Sequence, residues 1–236
     1  MRIGLFDSGI GGLTVLKKLL EKYPNNEYIY YGDTLNIPYG DKSKDELLEL
    51  ARENVKFLIG KNVDMIIVAC GTVSSNCLDI IKSEYKIPIY SILEPTIDYL
   101  NESNYQHILV IATHATINSH VFKKNVKKNV FELETPALVP IIESNGYADL
   151  NSVLHAYLDK YKGKVDAVVL GCTHYPIIKE EVKKIINTDI IDMSDYINIE
   201  NDGNSFLEIY FSKVDDMIKN NTKKILNIND IDIKSN

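Results

Sequence analysis

The stretch Asp64-Met-Ile-Ile-Val-Ala-Cys70-Gly-Thr72 decides the fold, because a close copy of it occurs later in the chain. The copy reads Asp166-Ala-Val-Val-Leu-Gly-Cys172-Thr-His174. In both, an aspartate opens a short apolar run that ends on a cysteine at a polar turn. Such continuously apolar runs are typical of strands buried on both faces. A second short apolar segment follows each copy, at Ile87–Ser91 and at Asp189–Asp192. Two half-chains of similar plan therefore predict a two-thiol site where two domains meet.

The whole chain alternates short apolar strands with helical segments. We predict strands at Ile3–Phe6, Glu27–Tyr31, Met65–Ala69, His107–Ala112, Asn129–Glu132 and Val165–Leu170. This alternation predicts an α/β fold with mainly parallel sheets covered by helices. We expect two similar domains, related by a pseudo-twofold axis, with the active site in the cleft between them. The first would comprise residues 1–95 plus about 200–236, and the second residues 96–199, since 236 residues suffice for two small domains.

The C-terminal part carries a weaker pattern. We interpret Phe206–Ile225 as a last helix that packs back on the first domain. The tail from Asn227 is polar, and we expect its end to be poorly ordered.

Composition narrows the class of protein. A hydrophobic content of 45% with 25% charged residues is ordinary for a soluble globular protein. The net charge of −7 argues against binding to nucleic acid or to an anionic membrane. No apolar stretch is long enough for a membrane helix, and the first residues run directly into a strand, so we expect no signal peptide. Three cysteines without an export signal indicate reduced thiols in the cytoplasm.

Three segments place polar residues at the carboxyl ends of predicted strands, where open α/β sheets bind ligands. They are Asp7-Ser8-Gly9, Cys70-Gly71-Thr72 and Cys172-Thr173-His174. The glycine-rich turn after Asp7 does not have the spacing of a dinucleotide fingerprint, so it predicts no nucleotide cofactor. By itself this turn is equally consistent with a tight strand-to-helix connection.

The cysteines are more informative than the glycines. Cys70 and Cys172 each lie at a strand-to-helix turn, whose amides favour a thiolate. Redox chemistry usually uses a closely spaced pair, and zinc would need more Cys or His ligands nearby. A nucleophilic pair of Cys172 with His174 stays open, although it would use only one thiol. Cys77 we interpret as an ordinary core residue.

Two thiols on opposed domains can stand on either side of one substrate carbon. One thiolate removes a proton while the other, as a thiol, delivers a proton to the opposite face. This arrangement inverts a stereocentre and needs neither a cofactor nor a metal ion.

The motifs themselves resemble a known family. The chain is similar, over nearly its whole length, to the glutamate racemases of the cofactor-independent aspartate/glutamate racemase family. The resemblance rests on Leu5-Phe-Asp-Ser-Gly-Ile-Gly-Gly-Leu-Thr-Val-Leu16, Tyr31-Gly-Asp-Thr34, Ile37-Pro-Tyr-Gly40, Val68-Ala-Cys70 and Leu170-Gly-Cys-Thr-His-Tyr-Pro176. Ala112–Thr116 and Val139–Glu143 fit weaker family blocks.

The resemblance implies a role for each matching residue. Cys70 would be the acid/base thiol that acts on D-glutamate, and Cys172 the one that acts on L-glutamate. Asp7 and His174 match assisting acid/base groups, and Glu143 matches a carboxylate implicated in catalysis. The substrate would be held by Asp7, Ser8, Pro38, Tyr39, Gly40, Gly71, Thr72, Thr116, Thr173 and His174.

The charges of two assisting groups give physical expectations. Asp7 would oppose thiolate formation on a nearby thiol by like-charge repulsion. A protonated His174 would favour the Cys172 thiolate. The resemblance further implies a cytoplasmic homodimer that uses no cofactor and supplies D-glutamate for peptidoglycan.

The chain departs from the family pattern at two places. The family usually has asparagine after the first catalytic cysteine, and this chain has Gly71, which removes a side-chain amide from the pocket. The family's Cys-Pro is here Thr135-Pro136, which we interpret as a packing change. Two alternatives stay open: a racemase of another acidic amino acid such as aspartate, and a catalytically silent amino-acid-binding protein on the same scaffold.

Overall fold

The computed structural model describes the whole chain, Met1–Asn236, and its strands form two sheets. The strands are β1 (Arg2–Asp7), β2 (Glu27–Gly32), β3 (Met65–Val68), β4 (Ile89–Ser91), β5 (His107–Ala112), β6 (Asn129–Glu134), β7 (Ala167–Leu170), β8 (Asp189–Asp192), β9 (Phe206–Phe211) and β10 (Ile233–Ser235). The first sheet has the order β10-β9-β2-β1-β3-β4 and the second β6-β5-β7-β8. Every strand pair is parallel. The predicted α/β class with parallel sheets is therefore confirmed.

Helices connect the strands and cover the sheets. They are α1 (Leu13–Lys22), α2 (Lys44–Gly60), α3 (Gly71–Asn76), α4 (Leu78–Glu84), α5 (Leu93–Glu102), α6 (His114–Ser119), α7 (Val121–Asn125), α8 (Leu138–Glu143), α9 (Leu150–Leu158), α10 (Lys179–Ile186) and α11 (Asp216–Leu226). Single 3-10 turns occupy Asp159–Tyr161, Tyr175–Ile178 and Met193–Tyr196. None of the helices is both long and apolar enough to cross a membrane.

The two copies of the repeated phrase occupy equivalent places. β3 and β7 are buried at every position, which explains their continuous apolar character. The aspartates that open the phrases also act alike. The Asp64 carboxylate accepts the backbone amide of Arg2 at 2.7 Å, at the start of β1. The Asp166 carboxylate accepts the amides of Gln106 and His107 at 2.7 and 2.8 Å, at the start of β5. In each half, a carboxylate before one central strand therefore binds the first amides of the neighbouring central strand and aligns the two.

The two sheets share a continuous apolar core. Leu5 and Tyr30 of the first sheet belong to the same buried cluster as Val110 and Val169 of the second. Two further clusters lie on the outer sides of the sheets, and Cys77 is buried in one of them, between α3 and α4, as expected for a core residue. The division into domains at residues 95 and 200 stays a prediction.

The prediction of a helix over Phe206–Ile225 was wrong for its first residues and is confirmed from Asp216 onward, where α11 lies. Phe206–Phe211 forms β9, which extends the first sheet beside β2, and Ile209 lies opposite Tyr30. Six residues that are mostly aromatic or aliphatic suit a strand, and a helix begins only after the Asp215 side chain accepts the amide of Ile218 at 2.8 Å. That helix, α11, packs against α1, which connects β1 and β2 of the first sheet.

The expectation of a poorly ordered tail was also wrong. Ile233–Ser235 forms β10, which pairs with β9 at the edge of the first sheet. The backbone amide of Asn236 donates to the carbonyl of Phe211 at 2.9 Å. The partly buried Ile231 and Ile233 pack against the shared core, and this contact accounts for the order of a largely polar segment.

Strand β9 provides a test of this architecture. The Phe211 ring is fully buried and lies edge-on to Tyr30 with a centroid separation of 5.8 Å, whereas Phe206 on the same strand is 42% exposed. Phe211→Ala should lower the free energy of unfolding by about 3–5 kcal/mol because it leaves a cavity in the core. Phe206→Ala is the matched control and should cost less than about 1 kcal/mol. Urea unfolding measures both, and equal losses would contradict the burial assigned to β9.

Candidate active site

The carboxyl ends of the central strands of both sheets face one small cleft. Cys70 follows β3 of the first sheet, and Cys172 follows β7 of the second, and both side chains border this cleft. The cavity has a volume of about 70 Å³. Both cysteines are almost completely buried, with exposures of 3% and 7%. The two thiols that the sequence singled out thus meet in one enclosed space.

Most of the site residues named from the sequence line this cleft. They are Ser8, Pro38, Tyr39, Gly40, Cys70, Gly71, Thr72, Glu143, Cys172, Thr173 and His174. Asp7 and Thr116 do not line it, and both are buried behind it. Sequence reasoning missed the other lining residues, which are Ile37, Asp41, Thr113, His114, Thr135, Pro136, Val139 and Pro140.

Asp7 holds the two sides of the cleft together from behind. It ends β1, is fully buried, and its Oδ2 accepts the backbone amides of Gly9 at 3.1 Å and Gly12 at 2.9 Å. Its Oδ1 accepts the hydroxyl of Thr173, next to Cys172, at 3.1 Å. A Cβ atom at Gly12 would lie 2.5 Å from the Asp7 Cβ, so this turn requires glycine. The protein itself thus supplies partners for both carboxylate oxygens.

Cys70 is set up as a neutral thiol. Burial raises the pKa of Cys70 well above its ordinary value, and the negative charge of Asp7 raises it further. The direction agrees with the repulsion expected from the sequence. The Cys70 sulfur lies 3.8 Å from the Ser8 hydroxyl oxygen, to which the thiol can donate. At neutral pH the raised pKa therefore keeps Cys70 as the neutral thiol.

Cys172 has a cationic neighbour. Its sulfur lies 3.6 Å from Nδ1 of His174, and Nε2 of His174 lies 2.8 Å from Oε1 of Glu143. Burial by itself lowers the pKa of His174. The hydrogen bonds to Cys172 and Glu143 raise this pKa by more than burial lowers it, so that it lies well above the ordinary value. His174 is therefore an imidazolium that donates from both ring nitrogens, one toward each partner.

The loop that carries Pro38 and Gly40 is fixed by a buried carboxylate. The Tyr39 hydroxyl donates to Oδ2 of Asp33 at 2.6 Å, and the Ser212 hydroxyl donates to Oδ1 of Asp33 at 2.7 Å. Burial, followed by the charge of Asp33, raises the pKa of Tyr39, so that the phenol keeps its proton as a donor. This loop also contacts the second sheet's side, where the Gly40 carbonyl accepts the amide of Ala115 at 3.0 Å.

A row of hydroxyl groups closes the other side of the cleft. Thr72 Oγ1 lies 2.9 Å from Thr113 Oγ1, and Thr113 donates to Thr116 Oγ1 at 3.0 Å. Thr116 therefore reaches the cleft only through Thr113. Thr113 is the first residue after β5, so the rule that strand ends carry the site would have found it.

The arrangement combines two buried thiols with different neighbours in one small cavity. Cys70 is a protonated thiol, while the sulfur of Cys172 faces an imidazolium that Glu143 holds in place. Hydroxyls of Ser8, Thr72 and Thr173 border the same space. Such a site suits proton transfer to and from opposite faces of a weakly acidic carbon.

Comparison with known proteins identifies the family. Residues 34–196 match the model of the Asp/Glu/Hydantoin racemase family. The glutamate racemase of Aquifex pyrophilus is 38% identical over 225 residues, which cover 90% of this chain and 89% of that protein. The chain belongs to the Asp/Glu/Hydantoin racemase family.

Solved structures agree with this assignment. Glutamate racemase from Francisella tularensis, crystallised in complex with D-glutamate, superposes with a TM-score of 0.88 at 31% identity and covers 100% of this chain and 97% of its own. The Aquifex pyrophilus structure superposes with a TM-score of 0.86 at 35% identity, covering 99% and 98%. The whole fold is thus shared with these enzymes.

The buried His174 makes stability depend on pH. An unfolded histidine has a pKa of about 6.5, and the raised pKa in the folded protein means that folding retains a proton which the unfolded chain releases. The stabilisation is fully present below pH about 6.5 and is lost as the pH rises toward the folded-state pKa. The stability difference between wild type and His174→Gln should therefore shrink as the pH rises.

Urea unfolding over a series of pH values measures this difference. Glu143→Gln serves as the matched variant, because it leaves His174 in place and removes one of the two groups that raise its pKa. Its stability should fall less steeply with pH than that of the wild type. A wild-type advantage over His174→Gln that stays constant or grows with pH would contradict a protonated His174.

Proposed function

We propose that this protein interconverts L-glutamate and D-glutamate without a cofactor, with Cys70 and Cys172 as the two acid/base groups. One observation carries the proposal: two buried thiols, one after a strand of each sheet, line the same cavity of about 70 Å³. The relatives of similar length and fold that are named glutamate racemases support the choice of substrate.

The protonation states suggest how the reaction runs from L-glutamate. Cys172, as the thiolate beside the imidazolium of His174, removes the α-proton from one face of the substrate. Cys70, which holds a proton at rest, delivers that proton to the other face and yields D-glutamate. Afterwards Cys172 carries a proton and Cys70 is the thiolate, which is the state that reacts with D-glutamate. Each turnover thus exchanges the protonation states of the two sulfurs and conserves the total number of protons.

The surrounding groups would stabilise the charge that develops. The α-proton of an amino acid is very weakly acidic, so negative charge grows toward the α-carboxylate in the transition state. Fixed hydroxyl and amide donors around that carboxylate, in a site with little water, stabilise such charge. We assign this role to Ser8, Thr72 and Thr173, with the loop Pro38–Gly40 and Gly71 completing the pocket.

Asp7, Glu143 and Thr116 would act through other residues. Because the protein occupies both oxygens of Asp7, we assign it two indirect roles. Its charge adds to the effect of burial in raising the pKa of Cys70, and it positions the Cys172 turn through Thr173. Glu143 orients His174 and favours its protonated form. Thr116 orients Thr113.

The cellular role follows from the proposed reaction. D-Glutamate is supplied for peptidoglycan, and we place the protein in the cytoplasm, where three free cysteines stay reduced. We also propose a homodimer, with exposed apolar side chains such as Leu35, which is 62% exposed, as candidates for the contact.

Circular dichroism tests the reaction. L-Glutamate and D-glutamate are incubated separately with the protein in reducing buffer without added cofactor, and both signals should decay to zero. L-Aspartate and D-aspartate are the controls. Decay of aspartate alone would assign the chain to the other acidic amino acid. Binding of glutamate by calorimetry without any change of chirality would support a silent binding protein.

Single thiol variants test the two-base mechanism. Cys70→Ala and Cys172→Ala should each lower the rate of racemisation by at least about 10²-fold, because each removes one proton-transfer group. Cys77→Ala is the matched control, since Cys77 is buried but lies outside the cleft, and it should racemise near the wild-type rate. A Cys70→Ala protein that keeps the wild-type rate in both directions would contradict the mechanism.

Light scattering coupled to size exclusion tests the assembly. The chain has a mass of 26.8 kDa, and the proposed homodimer should elute with twice that mass. Leu35→Glu should shift the population toward the monomer if Leu35 lies in the contact. A single species with the mass of one chain would overturn the dimer.

A further inference from the structure

We infer that Gly71 sets the separation of the two catalytic turns, so that it acts as a positioning residue because it has no side chain. The inference rests on the proposed function, since it concerns how the two thiols of that site are spaced. Gly71 directly follows Cys70, and Gly171 directly precedes Cys172. The two turns touch each other at these glycines.

The contact leaves no room for a Cβ atom. A Cβ built at Gly71 would lie 2.7 Å from the backbone carbonyl oxygen of Gly171 and 3.8 Å from Cε of Met193. Real Cβ atoms essentially never approach another heavy atom closer than 3.0 Å. A backbone carbonyl cannot swing aside as a flexible side chain can. Any residue other than glycine at position 71 would therefore move backbone.

The Gly171 carbonyl has little freedom to retreat. The amide of Gly171 donates to the carbonyl of Ile111 in β5 at 2.8 Å. A Cβ at Gly171 would itself lie 2.9 Å from both the Ala112 Cβ and the Ile111 carbonyl oxygen, so this turn is packed directly on β5. A push on Gly171 is thus transmitted to the second sheet and cannot be relieved within the turn.

Gly71 is held just as firmly on its own side. It is the first residue of α3, and the Cys70 carbonyl accepts the amide of Ser74 at 2.9 Å. The amide of Ala69 donates to the carbonyl of Phe6 in β1 at 2.9 Å. Because both turns are fixed to their sheets, a side chain at position 71 acts as a wedge between the sheets.

Separation of the two turns would directly change the positions of the two sulfurs relative to the substrate. Both proton transfers need their sulfur within reach of the same carbon, and misplacement by about 1 Å can cost about 10²-fold in rate. The cavity of about 70 Å³ would also open and admit more water. The absence of a side chain at Gly71 therefore keeps the two thiols close, in addition to removing an amide from the pocket.

Two substitutions at Gly71 distinguish spacing from a missing amide. Gly71→Ala adds only a Cβ, whereas Gly71→Asn adds a Cβ and an amide. Both should lower kcat by at least about tenfold. The Tm of Gly71→Ala should also fall, because the added Cβ overpacks the contact between the two turns. Gly60→Ala is the matched control, since no atom lies within 4 Å of a Cβ at Gly60, and it should keep the wild-type kcat.

Two kinetic results would overturn the inference. One is a Gly71→Ala protein with the kcat and KM of the wild type. The other is a Gly71→Asn protein that is faster than the wild type while Gly71→Ala is unchanged, because the amide and not the spacing would then matter.

Thiol reactivity gives a readout that does not depend on racemisation. Iodoacetamide alkylation of each cysteine is followed by peptide mass spectrometry in wild type, Gly71→Ala and Gly60→Ala. Wedging should speed the alkylation of Cys70 and Cys172 in Gly71→Ala and leave Cys77 unchanged as the internal reference. Equal rates in all three proteins, or faster alkylation of all three cysteines as in a loosened core, would overturn the inference.

The two proposals can fail separately. A wild type that leaves glutamate and aspartate optically pure contradicts the proposed function, while selective exposure of Cys70 and Cys172 in Gly71→Ala would still support the spacing role. A wild type that racemises glutamate, with a Gly71→Ala protein that matches it in kcat and in alkylation, contradicts the spacing role alone.

Discussion

The carboxylate of Asp7 is the interaction on which the site depends. It is a fully buried negative charge, and an ion in that position is tolerated only when hydrogen-bond donors surround it. The amides of Gly9 and Gly12 supply two donors from its own turn, and the Thr173 hydroxyl supplies the third from the other side of the cleft. One ion thus shapes the first turn and ties it to the Cys172 turn, and its charge adds to the effect of burial in raising the pKa of Cys70.

The two thiols are alike in sequence but differ in electrostatics. Cys70 lies under the influence of an anion, and Cys172 lies beside a cation that is held by Glu143. The proposed two-base reaction needs one proton donor and one proton acceptor at any moment, and two identical environments would give no preference between the two arrangements. The opposite signs of the neighbouring charges supply that preference from fixed residues of the protein.

Much of this architecture could be predicted from the residues alone. A short apolar run between an aspartate and a cysteine specifies a buried strand and the position at its end, so Cys70 and Cys172 could be placed at the cleft. Thr113 obeys the same rule, but a threonine after a strand carries no chemical signal of its own. The run Phe206–Phe211 fits a strand or a buried helix equally well by periodicity, and only its pairing with β2 decides. The partners of Asp7 depend on the path of the loop across the cleft, which local sequence does not encode.

The position of β9 links the C-terminal part of the chain to the cleft. Ser212, which directly follows β9, donates to Asp33, and Asp33 in turn holds Tyr39 at the cleft. Ser212, near the C-terminal end of the sequence, therefore helps to order the loop Pro38–Gly40 near its beginning. In the order of synthesis, β9 and β10 of the first sheet come after all four strands of the second sheet. The outer strands of the first sheet, β9 and β10, are thus the last to be made, although that sheet contains the first strand of the chain.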